Sequence, residues 1–338
     1  MCAESLFEAS ILDGAAWLPF SATVSAKICP RFKAVHVRLR SKTTFLKTVL
    51  PIIAWLIFLA FAGKEFCLLH WEGALVVFAA LTLVPPGLTL LGLTPARWYW
   101  LAATLFCAAY LFFPNKTAAL VALPYCLLAT WLSIQAVLNL LIFRKFELLE
   151  WVRFAALAYW ATGAVWAVCF LADLRPLDFD PVIVGLTAAH FHVAGFVLTV
   201  AVYCLLKENA SLTNRLLGWA SLFGMPLVAV GITLTKLGFS PVFEWVSALG
   251  FAAFAAIVIW QNLRLFFQKK YPRTARNFWL GGSICLVAGV ALAVLYALRF
   301  SFPMDWVNIP NMKIWHGTLN AVGFGWMVLK GWERSQVR

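Results

Sequence analysis

Charge is scarce in this chain. Asp, Glu, Lys and Arg together make up 12% of its 338 residues, about half the share of a soluble domain, which is about 25%. Hydrophobic residues make up 63%, and no soluble fold of this length has interior enough to hide them. Paired cysteines are missing as well. The eight cysteines are scattered singly and no CxxC occurs, which excludes a zinc ribbon and a dithiol redox motif; they read as small apolar residues inside helices. There is no GxGxxG, Walker loop, HExxH or GxSxG, so dinucleotide, nucleotide, zincin and hydrolase-elbow readings have nothing to stand on. Low-complexity segments and short-period repeats are also absent.

What fills the chain is a series of apolar runs. A helix needs about 20 apolar residues to cross a bilayer. Such runs lie near residues 46–62, 73–93, 97–113, 117–142, 151–172, 182–206, 216–236, 241–263, 277–299 and 313–330, the third and tenth being short. The expected fold class is therefore all-α, a polytopic transmembrane helical bundle of about ten spans, with lipid as the solvent of its outer face. The 17 tryptophans suit rings placed at headgroup level.

Base outnumbers acid, 27 residues to 14, for a net charge of +13. A nucleic-acid partner is not expected, because the basic residues sit in short segments between apolar runs and no soluble module is left to bind one. With ten spans and an inside N-terminus, 21 basic residues fall inside and six outside, namely Lys64, Lys116, Arg175, Lys236, Arg299 and Lys313. That split is the positive-inside bias, and it places both termini in the cytoplasm. Residues 1–45 carry Glu4, Glu8 and Asp13, then a basic stretch from Lys27 to Lys47. They read as a disordered cytoplasmic tail, 1–45, whose Lys and Arg touch anionic lipid, ahead of a transmembrane domain over 46–335. A cleaved signal peptide is not expected, since the charges precede the first apolar run by too much.

Histidine is rare, five residues in all. His36 lies in the tail. His70, His190, His192 and His316 fall on the outer half of the expected bundle. Ionisable groups inside a membrane are costly and need a reason. Side chains two apart on an α-helix point about 200° apart, so His190 and His192 serve different sites, unless the helix unwinds locally near Gly195. Thr187 lies just before them. His316, Asn320 and Gly323 share one face of the last span. Among the acids, Glu72 and Glu244 open the second and eighth spans and are the expected partners for a histidine, by proton sharing or metal binding. Gln135 and Asn139 on the fourth span read as glue between helices.

The pattern Tyr159, Gly163-Ala164-Val165-Trp166, Arg175-Pro176-Leu177, Leu186-Thr187-Ala188-Ala189-His190-Phe191-His192 and Gly195-Phe196 resembles the YndJ-like bacterial integral membrane protein family. His316-Gly317, Asn320-Ala321 and Gly323-Phe324 fit it too. Members carry an aromatic residue after the second histidine, where this chain has Val193. The resemblance covers residues 45–335. It implies a multi-pass protein of the bacterial cytoplasmic (inner) membrane whose activity is unsettled and which carries a transporter-like label. His190-Phe191-His192 is also similar to the His-Phe-His of haem–copper oxidases, but those enzymes need about six histidine ligands and only three histidines here fall within spans.

Three readings of function stay open. The first is a transporter-like protein for a small solute or ion, with a polar pocket of His190, His192, His316, Asn320, Glu72, Glu244 and Thr187 and no cofactor. The second is a membrane-embedded enzyme using His190, His192 and His316 with a metal or haem. The third is a non-catalytic membrane partner or pH sensor. Enzyme activity is the less expected outcome. The charge split makes a direct prediction: a reporter fused after Arg338 is active on the cytoplasmic side, and one fused between the ninth and tenth runs on the external side. The reverse pattern would overturn the sidedness.

Overall fold

A computed structural model describes residues 30–112 and 115–336, with side chains from residue 49 onward. The chain divides into two compact units, Met1–Lys47 and Thr48–Arg338. The helical bundle is the second. Of the expected tail, residues 1–29 lie outside the described residues; from Pro30 the chain is helical.

Among the described residues, ten helical rods follow one another: α1 Pro30–Leu69, α2 Trp71–Leu90, α3 Arg97–Leu111, α4 Lys116–Ile142, α5 Leu148–Leu171, α6 Pro181–Glu208, α7 Leu212–Lys236, α8 Val242–Phe267, α9 Arg273–Phe300 and α10 over 309–335. Among the described residues, eight are long and apolar enough to cross a membrane, with α1 counted from Val49. The other two are α3, whose 15 residues span only about 22 Å, and α10. These are the two runs that are short in the sequence. The first run is expected to stop at residue 62, yet α1 continues to Leu69. It does so across a kink at Gly63, whose φ of 80° belongs to the left-handed region that glycine enters without strain.

Burial sorts the rods. In α2, 94% of the most apolar stretch is buried inside the bundle, and in α6 83%, against 11% in α1 and 22% in α8. So α2 and α6 are interior helices, while α1 and α8 turn most of their apolar surface to lipid. With α10 they form a central trio. The beginning of α2 packs on the beginnings of α6 and α10, and the ends of the three rods pack on one another. All three therefore run in the same direction. Chain connectivity requires this, because three rods separate α2 from α6 and three more separate α6 from α10, so each return crosses an even number of times.

Each central rod contains one wide, π-helical turn: Ala79–Leu83 in α2, Phe191–Val197 in α6 and Leu319–Gly325 in α10. In α2 the cause is local. Pro85 and Pro86 bring no N–H to the carbonyls one turn back, and the wide turn before them absorbs the misfit. The Ala80 carbonyl accepts a hydrogen bond from the Tyr99 hydroxyl on α3. In α6 and α10 the wide turns are each seven residues long and carry a Gly-Phe pair at the same place, Gly195-Phe196 and Gly323-Phe324. The α6 turn packs against both of the others.

Ion pairs between rods join residues that the charge alternation puts on one side. Lys313 of α10 meets Glu72 of α2, Arg299 of α9 meets Glu244 of α8 at 2.8 Å, and Lys270 meets Glu208 of α6 at 2.6 Å. The first pair is the buried one. Glu72 is 1% exposed and Lys313 7%, with Nζ 3.2 Å from Oε2, an ionic contact rather than an aligned hydrogen bond. Nζ also donates to the Leu69 carbonyl, and His70 Nδ1 stands 3.5 Å from Glu72 Oε1. Removing one member of such a pair leaves the other charge uncompensated. Glu72→Leu or Lys313→Leu alone is expected to destabilise the bundle by about 3 kcal/mol or more. The double variant is expected to lose less than either single variant, as read from thermal unfolding in detergent. A double loss equal to the sum of the single losses would show that the charges do not interact.

Candidate functional site

His190 is the last α-helical residue of α6 before its wide turn, and His316 lies three residues before the wide turn of α10. These two turns pack against each other, so the two imidazoles meet at the rim of that contact. Their ring centroids are 5.9 Å apart and the planes lie 29° from parallel. His190 is exposed and His316 half-buried. The structure thus brings together two histidines that lie 126 positions apart in the chain.

Each ring is fixed by a backbone carbonyl. His190 Nδ1 is 2.7 Å from the Leu186 oxygen one turn back, and His316 Nδ1 is 2.8 Å from the Gly289 oxygen on α9. A carbonyl only accepts, so the proton of each neutral ring sits on Nδ1. Nε2 is then a bare lone pair. For His190 that atom has no hydrogen-bond partner among the described residues. For His316 the Asn320 amide nitrogen lies 3.1 Å from Nδ1 and 3.3 Å from Nε2, while the same Nδ2 donates to the His316 carbonyl at 2.9 Å. The expected His316–Asn320 stripe is therefore present as a bonded unit. Gly289 makes room for it: a Cβ there would stand 2.8 Å from Asn320 Nδ2.

His192 points elsewhere, as residues two apart must. It is fully buried, with Nδ1 2.8 Å from the Ala188 oxygen and Nε2 3.3 Å from the Tyr125 hydroxyl of α4. That hydroxyl accepts from Trp160 Nε1 of α5 at 2.8 Å. The chain of donors runs Trp160, Tyr125, His192, Ala188, and it leaves no lone pair of His192 free. Gly163 of α5 lies under the ring; a Cβ there would stand 2.6 Å from Nδ1. His192 ties α6 to α4 and α5 rather than joining His190 and His316.

The remaining candidates divide. Thr187 donates to the Ile183 oxygen at 2.7 Å, within its own helix. Glu244 is held by Arg299, which also donates to the Tyr296 oxygen at 2.9 Å; its partner is an arginine and not a histidine. Glu72 does have a histidine beside it, but that residue is His70, and the stronger partner is Lys313. Lys313 precedes His316 by one turn of α10, so the ion pair lies one turn from the imidazole pair. Trp71, next to Glu72, donates to Thr318 Oγ1 at 2.9 Å and closes the same seam between α2 and α10.

Sequence reasoning missed Lys313, Tyr125 and Trp160. Lys313 had a signal: it falls within the last apolar run, three residues before His316. Tyr125 and Trp160 had none, since aromatic residues in apolar runs are ordinary.

A resident metal or haem finds no cage here. Among the described residues, no three His, Cys, Asp or Glu side chains come together as a metal site. Imidazole lone pairs lie in the ring plane, so two stacked rings aim them side by side and not at a common centre. The residues present do not fit a metal or a bis-histidine haem held between His190 and His316.

The chain has a curated relative in Bacillus subtilis (strain 168), an uncharacterized membrane protein YndJ. The two are 25% identical over 181 residues, 52% of this chain, and the chain spans 31% of that protein's length. No solved structure matches. The family described as YndJ-like protein matches residues 74–324, a stretch that holds the wide turns of α2 and α6 and all but the last residue of that of α10, together with His190, His192, His316 and Asn320, and this multi-pass membrane chain belongs to that family.

Proposed function

We propose that this protein is a carrier for a small polar solute in the bacterial cytoplasmic membrane, with both termini inside, and that the solute passes beside the stacked imidazoles of His190 and His316. One observation supports this above the rest: an exposed imidazole, stacked on a second one, inside the central trio of the bundle. His190 lies nine residues into α6, about 14 Å along the rod, close to half of a hydrocarbon core of about 30 Å. An ionisable side chain at that depth has a functional role by default. Solute sites of carriers sit near the midplane where helices depart from α geometry, and wide turns are frequent at functional sites. On this reading His190 and His316 touch the solute, Asn320 orients His316, and the Glu72–Lys313 pair joins α2 to α10 one turn outward. The basic N-terminal segment holds anionic lipid on the cytoplasmic side.

The test is flux in proteoliposomes holding the full chain, read with a panel of labelled small solutes. His190→Ala and His316→Ala are expected to abolish uptake of the transported solute, while Lys270→Ala, at an exposed pair remote from the two imidazoles, leaves it unchanged. Undiminished uptake in both histidine variants would overturn the assignment of the site.

A further inference from the structure

Tyr159 of α5 has no part in the reading above, yet its hydroxyl reaches a point where another rod is broken. We infer that α7 is hinged at Pro226 and that the Tyr159 hydroxyl is the catch that holds the hinge. The inference goes beyond the carrier reading and does not rest on it.

Pro226 lies inside α7. It brings no N–H to the Leu222 carbonyl one turn back, and in hydrocarbon that oxygen has to find its donor elsewhere in the protein. Tyr159 supplies it. The hydroxyl stands 2.7 Å from the Leu222 oxygen and 2.9 Å from the Ser221 oxygen, and the residue is 7% exposed. Ser221 has a helical donor of its own, the N–H of Met225 four residues on, so Leu222 is the carbonyl that needs the hydroxyl. A donor borrowed from another rod is not equivalent to the backbone N–H it replaces. α7 can bend at Pro226 without breaking a hydrogen bond of its own, and what it gives up is the bond to Tyr159. Sharp bends of helices fall at proline for this reason.

The part that moves is the outer end of α7, residues 226–236. Only 28% of the most apolar stretch of α7 is buried, so little packing on the bundle opposes a swing. The other side of the catch is firmly seated. Tyr159 packs on the wide turn of α6: a Cβ at Gly195 would stand 2.9 Å from the Tyr159 Cβ, and the Phe191 ring lies 5.9 Å away. Phe191 follows His190, and Met225 precedes Pro226. Both belong with Tyr159 and Ala155 to one small buried apolar cluster. A swing at Pro226 therefore changes the packing next to His190.

The experiment is hydrogen exchange of the full chain in lipid nanodiscs, read by mass spectrometry over residues 227–231, just beyond the break. Tyr159→Phe keeps the ring and removes the donor. It is expected to speed exchange there by about threefold to tenfold, the worth of one hydrogen bond. Pro226→Ala restores the missing N–H and is expected to slow exchange in the same stretch. Tyr159→Phe added to Pro226→Ala is expected to leave the rate where Pro226→Ala set it. A tyrosine that only packs against α6 would act alike in both backgrounds. Equal acceleration in the two backgrounds, or none in the native one, would overturn the inference. If Tyr159→Phe alone does not fold, the double variant decides: recovery of the folded chain through Pro226→Ala supports the catch, and no recovery overturns it.

Discussion

A polar side chain within hydrocarbon has to find its partners in the protein, because lipid supplies none. That constraint organises the interior of this bundle. His192 is answered by Tyr125 and the Ala188 carbonyl, Asn320 by His316, and Glu72 by Lys313. Every one of these contacts except the bond to Ala188 and the Asn320 pair joins two rods, so satisfying the polar groups also fixes which helices are neighbours. The rest of the architecture serves to bring the partners close. Glycines do this repeatedly: Gly163 leaves room for His192, Gly289 for Asn320, and Gly185, where a Cβ would stand 2.9 Å from Glu72 Cγ, for the buried acid. Small residues let helices approach in membranes, and here the space they open is filled by polar side chains.

Against that background His190 stands apart. It obeys the rule at Nδ1 and departs from it at Nε2. The three histidines share one tautomer, fixed in each case by a backbone carbonyl, so the difference between them is only whether the second nitrogen is answered. In His192 it is answered by Tyr125, in His316 the Asn320 amide stands 3.3 Å away, and in His190 it has no partner among the described residues. Of the three span histidines, His190 is the one whose second nitrogen stays open among the described residues.

Much of the fold was legible from composition and charge. Ten apolar runs become ten rods, because a run of about 20 apolar residues has only one low-energy arrangement in a bilayer. The alternation of basic residues anticipated which loops share a side, and the pairs Glu244–Arg299 and Glu208–Lys270 follow it. The opposite directions of His190 and His192 were readable from helical period alone. What periodicity cannot supply is which rods meet. The stacking of His190 on His316, the preference of Glu244 for Arg299, and the burial of Lys313 all depend on contacts between distant parts of the chain. The wide turn of α6 was half visible, since Gly195 left local unwinding open there, but a sequence does not announce a change of hydrogen-bond register.

The wide turns have an effect on how the molecule is able to vary. A π-helical turn is an α-helix carrying one surplus residue, and an extra residue rotates everything beyond it by about 100°. The two halves of α2, α6 and α10 are thereby decoupled in phase. The stripe that one half presents to its neighbours need not continue along the other. The face that carries the imidazoles and the face beyond the wide turn are thus aimed at different neighbours by one rod, which an uninterrupted helix cannot do.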